Sequence, residues 1–117
     1  MHEWALVEGV MRIAEEEGAR HPGHSVVGIE LEIGRLRQVV PEDFRFLFDI
    51  ARRGTVLERA ELILDIRPVR VHCRDCCADG LVEEPAWMAC PRCGGFDVEM
   101  VEGDQMLVRS INLEPNG

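Results

Sequence analysis

The chain has 117 residues, 46% of them hydrophobic and 30% charged, which is the make-up of one small folded domain or of one domain with a minor insert. Its formal charge is -9, all thirteen cations are arginine, and each part of the chain is acidic: -3 over residues 1–70, -4 over 71–99 and -2 over 100–117. That balance speaks against nucleic acid as a partner, because phosphate backbones are bound by net basic faces. No apolar run approaches the ~20 residues that span a bilayer, and the first residues lack a signal peptide's basic start and apolar stretch. A cytoplasmic protein with no membrane partner is expected.

In chain order, Trp4, Val7, Met11 and Ala14 recur at helical spacing, widened by Leu6, Val10 and Ile13, with Glu8, Arg12, Glu15 and Glu16 opposite. This predicts a helix that stops at Gly18. His21-Pro22-Gly23-His24 reads as a turn. From Val26 to Ile33 the pattern alternates, with Val27, Ile29, Leu31 and Ile33 on one face and Gly28, Glu30 and Glu32 on the other, as in a half-buried strand.

Pro41, Glu42 and Asp43 suit the first turn of a second helix. Phe44, Leu47, Phe48 and Ala51 form its apolar stripe, and Arg52-Arg53-Gly54 closes it. Leu62, Leu64 and Ile66 alternate with Glu61, Asp65 and Arg67 in a second strand, ended by Pro68 at an edge or bulge. Gln105 to Leu113 is a third strand. The order implies an α+β fold: a small three-stranded sheet with two helices, whose last strand returns after an inserted cysteine module. Residues 1–70 and 100–117 are then one domain, and residues 71–99 a second, zinc-ribbon-like one. Aromatic packing is limited to Trp4, Trp87 and four Phe, so a structural metal would help so small a core.

All five cysteines lie between Cys73 and Cys93. An odd number in a chain with no secretory signal argues for metal rather than disulfides. Cys73-Arg-Asp-Cys76 and Cys90-Pro-Arg-Cys93 are C-x-x-C pairs separated by 13 residues, close to the spacing of four-cysteine zinc sites. Four thiolates would close the shell and leave no position for catalytic water. Gly94 and Gly95 suit a knuckle that needs positive φ, and Cys77 takes the corresponding place after the first pair. Two alternatives stay open: a pair of redox dithiols, and a zinc shell in which His72 or Cys77 replaces one neighbouring cysteine.

The first residues carry a second donor set. The Met1 α-amine, the His2 backbone amide nitrogen and the His2 imidazole can form fused chelate rings about one ion of the kind that favours nitrogen-rich planar shells, Ni(II) or Cu(II), with the Glu3 carboxylate nearby. Catalytic groups are not evident, since Ser25, Thr55 and Ser110 lie in no nucleophile motif. A non-enzymatic protein is expected.

Taken together, Met1-His2-Glu3, the helix–strand–helix–strand order, the two C-x-x-C pairs and the returning strand resemble the HypA/HybF family of nickel metallochaperones along essentially the whole chain. The resemblance implies that Met1 and His2 hold Ni(II) reversibly, with Glu3 as an auxiliary ligand or a determinant of transfer, while Cys73, Cys76, Cys90 and Cys93 hold structural Zn(II). It implies delivery of nickel to the NiFe-hydrogenase large-subunit precursor together with a HypB-type GTPase, and in some members a role in urease maturation. A second copy of the chain, in a homodimer, is an open option among the partners. Cys77 stands where a glycine is common in the family. The competing reading is a zinc-ribbon adaptor or interaction module with no nickel function.

Overall fold

A computed structural model describes residues 2–83 and 88–116, with His2 described through its backbone alone. Its elements are α1 (His2–Ala19), β1 (His24–Gly34), a short 3-10 turn (Arg35–Arg37), α2 (Pro41–Ala51), β2 (Glu61–Arg67), β3 (Val69–Cys73), β4 (Asp79–Val82), β5 (Val98–Glu102) and β6 (Met106–Pro115). The strands form two three-stranded sheets, ordered β2-β1-β6 and β4-β3-β5. The fold is α+β, and β6 returns to pair beside β1 as the sequence order implied.

The chain divides into two compact units. The first comprises residues 1–31, 39–65 and 107–117, and the second residues 32–38 and 66–106. In the first unit, α1 buries Val7, Val10, Met11 and Ala14, one stripe at helical spacing, and is in contact with α2. α2 starts at Pro41, with Glu42 and Asp43 in its first turn, and turns Phe44 and Phe48 fully inward. Ile29 and Leu31 of β1 and Leu57 ahead of β2 complete an aliphatic and phenylalanine core.

Four expectations need correction here. α1 continues one residue past Gly18. Gly18 does not end the helix; a Cβ there would stand 3.1 Å from Val26 Cγ2, so its lack of a side chain serves close packing on β1. Trp4 is 38% exposed and Ile13 lies outside the buried stripe as well, because the buried face of α1 is narrower than the apolar one. Only two of the four phenylalanines are core residues, Phe46 and Phe96 being 64% and 71% exposed, and Ile66 of β2 is exposed too. Trp87 lies outside the described residues.

The second unit is built on β3, which pairs antiparallel with β4 on one side and β5 on the other. Its alternation places Val69, Val71 and Cys73 inward and Arg70 outward. Val69, Val71 and Val82 make its buried cluster, with Leu36, Met88, Val98 and Met100 packed against them. Gly34 and Gly103 meet so closely that a Cβ on Gly34 would lie 2.2 Å from the Gly103 carbonyl; Gly34 N–H donates to Gln105 O and Leu36 N–H to Gly103 O.

Candidate metal centre

The central strand of the second unit delivers Cys73, fully buried, to the start of a tight turn that returns through β4. The second pair is built the same way. Cys73 N–H donates to Ala78 O at 2.8 Å, and Cys90 N–H donates to Gly95 O at 2.8 Å, so each C-x-x-C is closed by an equivalent backbone bond. The residue after each second cysteine has positive φ, 61° at Cys77 and 75° at Gly94. For glycine that conformation is free, whereas a side chain accepts it at a cost, which the closed turn around Cys77 must offset.

Within the turns the backbone points its amides at sulfur. Cys76 N–H approaches Cys73 Sγ at 3.5 Å, the Arg92 and Cys93 amides each approach Cys90 Sγ at 3.4 Å, and the Gly95 amide approaches Cys93 Sγ at 3.4 Å. Donors aimed at sulfur stabilise thiolate over thiol. The two turns also interlock: a Cβ on Gly80 of β4 would sit 2.4 Å from Pro91 Cγ, so the proline between the second pair packs where a side chain on β4 would stand.

The result is one cluster. The sulfurs of Cys73, Cys76, Cys90 and Cys93 all lie within 4.8 Å of one another, with Cys73 Sγ to Cys93 Sγ at 3.7 Å and Cys76 Sγ to Cys90 Sγ at 3.6 Å. A tetrahedral ion with ~2.3 Å metal–sulfur bonds requires sulfur–sulfur edges of about 3.8 Å, which these distances approach. The five cysteines are free thiols, so the cluster is not a disulfide pair. Neither alternative donor joins it: the His72 ring is engaged with Asp79, Nδ1 to Oδ1 at 2.7 Å, and Cys77 lies outside the four-sulfur group.

Protonation follows from the geometry. The Cys93 amide is the largest influence on Cys90 and, with the Arg92 amide and the neighbouring thiols, brings it from 9.0 to about 6 against the effect of desolvation. For Cys76 the Ala78 amide pulls downward, but the hydrogen bond with Cys90, burial, and contact with Cys73 and Cys93 together push the thiol up to about 12. Cys93 is also raised: its neighbours Cys73 and Cys90 outweigh the Gly95 amide. Four sulfurs this close cannot all carry charge unless a cation lies among them.

At the other predicted site, Met1 and the side chain of His2 lie outside the described residues. The backbone of His2 opens α1. Glu3, in the first helical turn, accepts a hydrogen bond from Val40 N–H at its Oε1, 3.1 Å away, which ties the start of α1 to the residue preceding α2. That contact joins positions 37 residues apart and carries no sequence signal.

A family described as hydrogenase/urease nickel incorporation metallochaperones, HypA, matches residues 1–113. Among relatives, the hydrogenase maturation factor HypA of Aquifex aeolicus is 32% identical over 114 residues, covering 97% of this chain and 98% of the relative. HypA of Cereibacter sphaeroides and HybF of Salmonella typhimurium are each 37% identical over 115 residues, covering 97% of this chain and all of the relative. The solution structure of a HypA protein superposes with a TM-score of 0.71 at 22% identity, over 97% of both chains. That of the Ni metallochaperone HypA from Helicobacter pylori gives 0.64 at 21%, over 93% of this chain and 94% of the other. A family match along nearly the whole sequence, on a fold that carries the four-cysteine cluster, makes this chain a member of the HypA family of nickel metallochaperones.

Proposed function

We propose that this chain carries Ni(II) on its first residues for NiFe-hydrogenase maturation, and that Zn(II) in the cysteine cluster is structural. The match of the nickel-incorporation family from residue 1 onward is the observation that carries this reading. Met1 and His2 supply the nickel donors: the α-amine, the His2 amide nitrogen and the imidazole, a nitrogen-rich set suited to Ni(II). The His2 amide belongs to the first turn of α1, where backbone N–H groups have no intrahelical acceptor. It can lose its proton to a metal without breaking a helical hydrogen bond.

Release is supported by the same placement. The positive end of the helix dipole disfavours a cation there by ~0.3–1 kcal/mol, and the Glu3 carboxylate partly offsets it. Glu3, held by Val40 N–H, fixes the entry to the helix, so its contribution is to position the chelate and to set the ease of transfer. A HypB-type GTPase and the NiFe-hydrogenase large-subunit precursor are the proposed partners, with urease maturation a second destination for the same cargo.

In the second unit, Cys73, Cys76, Cys90 and Cys93 would hold zinc, which supplies charge neutralisation among four thiolates and a tie between the two turns. The four sulfurs leave no open coordination position, so this site exchanges nothing with a partner. The domain labels follow: a nickel-carrying α+β part and a zinc-held insert.

The reading is tested by nickel titration of zinc-loaded protein with its native first residue, against His2→Ala and against a chain whose Met1 α-amine is acetylated. Both changes should weaken nickel binding about 100-fold or more while leaving zinc in place, since each removes nitrogen donors from the chelate. Unchanged nickel affinity in both proteins would remove the basis for the N-terminal site.

A further inference from the structure

β2 is an outer strand of its sheet, with β1 on one side only. Carbonyls two residues apart in an extended strand point the same way, and a bare edge of this kind invites pairing with another chain. Here α2 covers it. Arg45 Nη1 donates to Leu62 O and Arg52 Nη1 to Ala60 O, both at 2.7 Å, so two arginines are anchored about 6.6 Å apart along the edge. The Arg52 guanidinium also lies over the Phe48 ring, 5.8 Å from its centroid, and its Nη2 meets Asp49 Oδ1 at 3.0 Å.

Beside these anchors lies an open cleft of about 370 Å³. Arg59, in the turn that leads into β2, lines it together with Arg45 and Arg52, and has no hydrogen-bond or ion-pair partner among the described residues. Two carboxylates share the cleft, Asp49 on Arg52 and the exposed Glu61. Three cations against two acids leave a net +1 in a chain whose formal charge is -9. A guanidinium has five N–H donors, and the contacts above use one on Arg45 and two on Arg52, leaving donors on both for a ligand.

The geometry points to a phosphate site on this edge, in which Arg45, Arg52 and Arg59 take the dianionic head of inorganic phosphate or of a small phosphate monoester. Guanidinium groups pair with oxyanions through charge-assisted bonds of ~2.7–2.9 Å, and one tetrahedral oxyanion bridges donors as much as about 8 Å apart, which spans the two anchors. Three arginines match the three outer oxygens of a phosphate, whereas a carboxylate offers only two. The size of the ligand follows from charge. The acidic remainder of the chain repels a polyanion over a Debye length of ~8 Å, but a small phosphate fits inside the cleft and meets chiefly its local field. The carbonyl bonds hold Arg45 and Arg52 ready, and Arg59 is the group free to close on the ligand. The site shares no residue with the N-terminal donors or the sulfur cluster, so it stands independently of the nickel reading.

The test titrates the zinc-loaded full chain with inorganic phosphate, at constant ionic strength set by sodium chloride, and follows backbone amide NMR signals. Saturable shifts should appear in residues 45–52 and 59–62. Arg59→Gln should lower phosphate affinity about tenfold or more, the loss of one charge-assisted bond. Its helical circular dichroism should be unchanged, because Arg59 has no partner to lose. Glu61→Gln should tighten binding by removing a like charge, and acetate should bind more weakly than phosphate. Glycerol phosphate separates the two sources: affinity above that of inorganic phosphate assigns the site to an ester, and equal or lower affinity assigns it to the free ion. Shifts that rise without saturation, equal affinity in Arg59→Gln, or acetate binding as tightly as phosphate would each overturn the site.

Discussion

The two units reach stability by different means. The first buries Phe44, Phe48, Ile29, Leu31 and Leu57 completely, the content of an ordinary small core. The second has three valines as its buried cluster, and its innermost turns are made of Cys73 and Cys90. Apolar burial is worth ~1.5–3 kcal/mol per large side chain, so three valines offset little of the ordering entropy of some fifty residues, at ~1–2 kcal/mol each for the backbone alone. The lesson is that the second unit, on the proposed reading, relies on a metal where the first relies on phenylalanine. Removing either should therefore injure its own unit and spare the other.

The largest effect should come from the metal. Chelation, or Cys73→Ser, removes a contribution that is typically about 10–16 kcal/mol in zinc-binding peptides, and residues 66–106 should lose their strand signals and become open to proteolysis. The helical circular dichroism of α1 and α2 should survive. Simultaneous melting of the helices would show that the two units fold as one.

Next comes the converse. Phe48→Ala should cost the first unit ~3–5 kcal/mol through cavity formation, lowering the helical melting temperature. The thiolate-to-cobalt absorption of cobalt-substituted protein should stay unchanged below that transition. Loss of the cobalt spectrum in step with helix would contradict independent stabilisation.

A smaller and more local effect is expected at Gly80. An alanine there places its Cβ on Pro91, an overpacking of about 1–3 kcal/mol that forces the second cysteine turn away from β4 and should weaken metal retention. Pro91→Ala should relieve most of that loss in the double variant, measured by competition with a chelator. Equal retention in Gly80→Ala and the unmodified chain would show that the contact does not position the cluster.

The gentlest perturbation is pH. The metal-bound form has four thiolates, while the metal-free chain, its cysteine turns opened, keeps its cysteines mostly as thiols at neutrality. Protons therefore compete with zinc as pH falls, and affinity should rise with pH through the neutral range. Calorimetry in buffers of different ionisation enthalpy should detect protons released from the cysteines when zinc binds at pH 7. Zinc binding that released no protons at pH 7 would contradict this assignment.

Much of this was legible because periodicity survives in long elements. The stripe at Val7, Met11 and Ala14 and the alternation along β1 each span enough residues to distinguish helix from strand. The strands of the second unit were not legible. β3, β4 and β5 have four or five residues each, and cysteine, glycine and charged residues occupy places that would otherwise alternate. Gly18 misled because a glycine near a helix end can either terminate the helix or make room for a neighbour, and only the position of Val26 decides between them. The four cysteines were legible as a group because tetrahedral ligation imposes their spacing directly. The Glu3–Val40 bond and the Gly80–Pro91 contact were not, since each depends on where the chain returns in space.

The central claim is that one chain holds two metals in separate shells of different chemistry. X-ray absorption on protein with its native N-terminus, loaded with one zinc and one nickel, reads both shells in one sample because each edge reports its own element. The account predicts four sulfurs at ~2.3 Å around zinc and a nickel shell of nitrogen and oxygen that includes imidazole. Sulfur in the nickel shell, or nitrogen in place of sulfur at zinc, would contradict it.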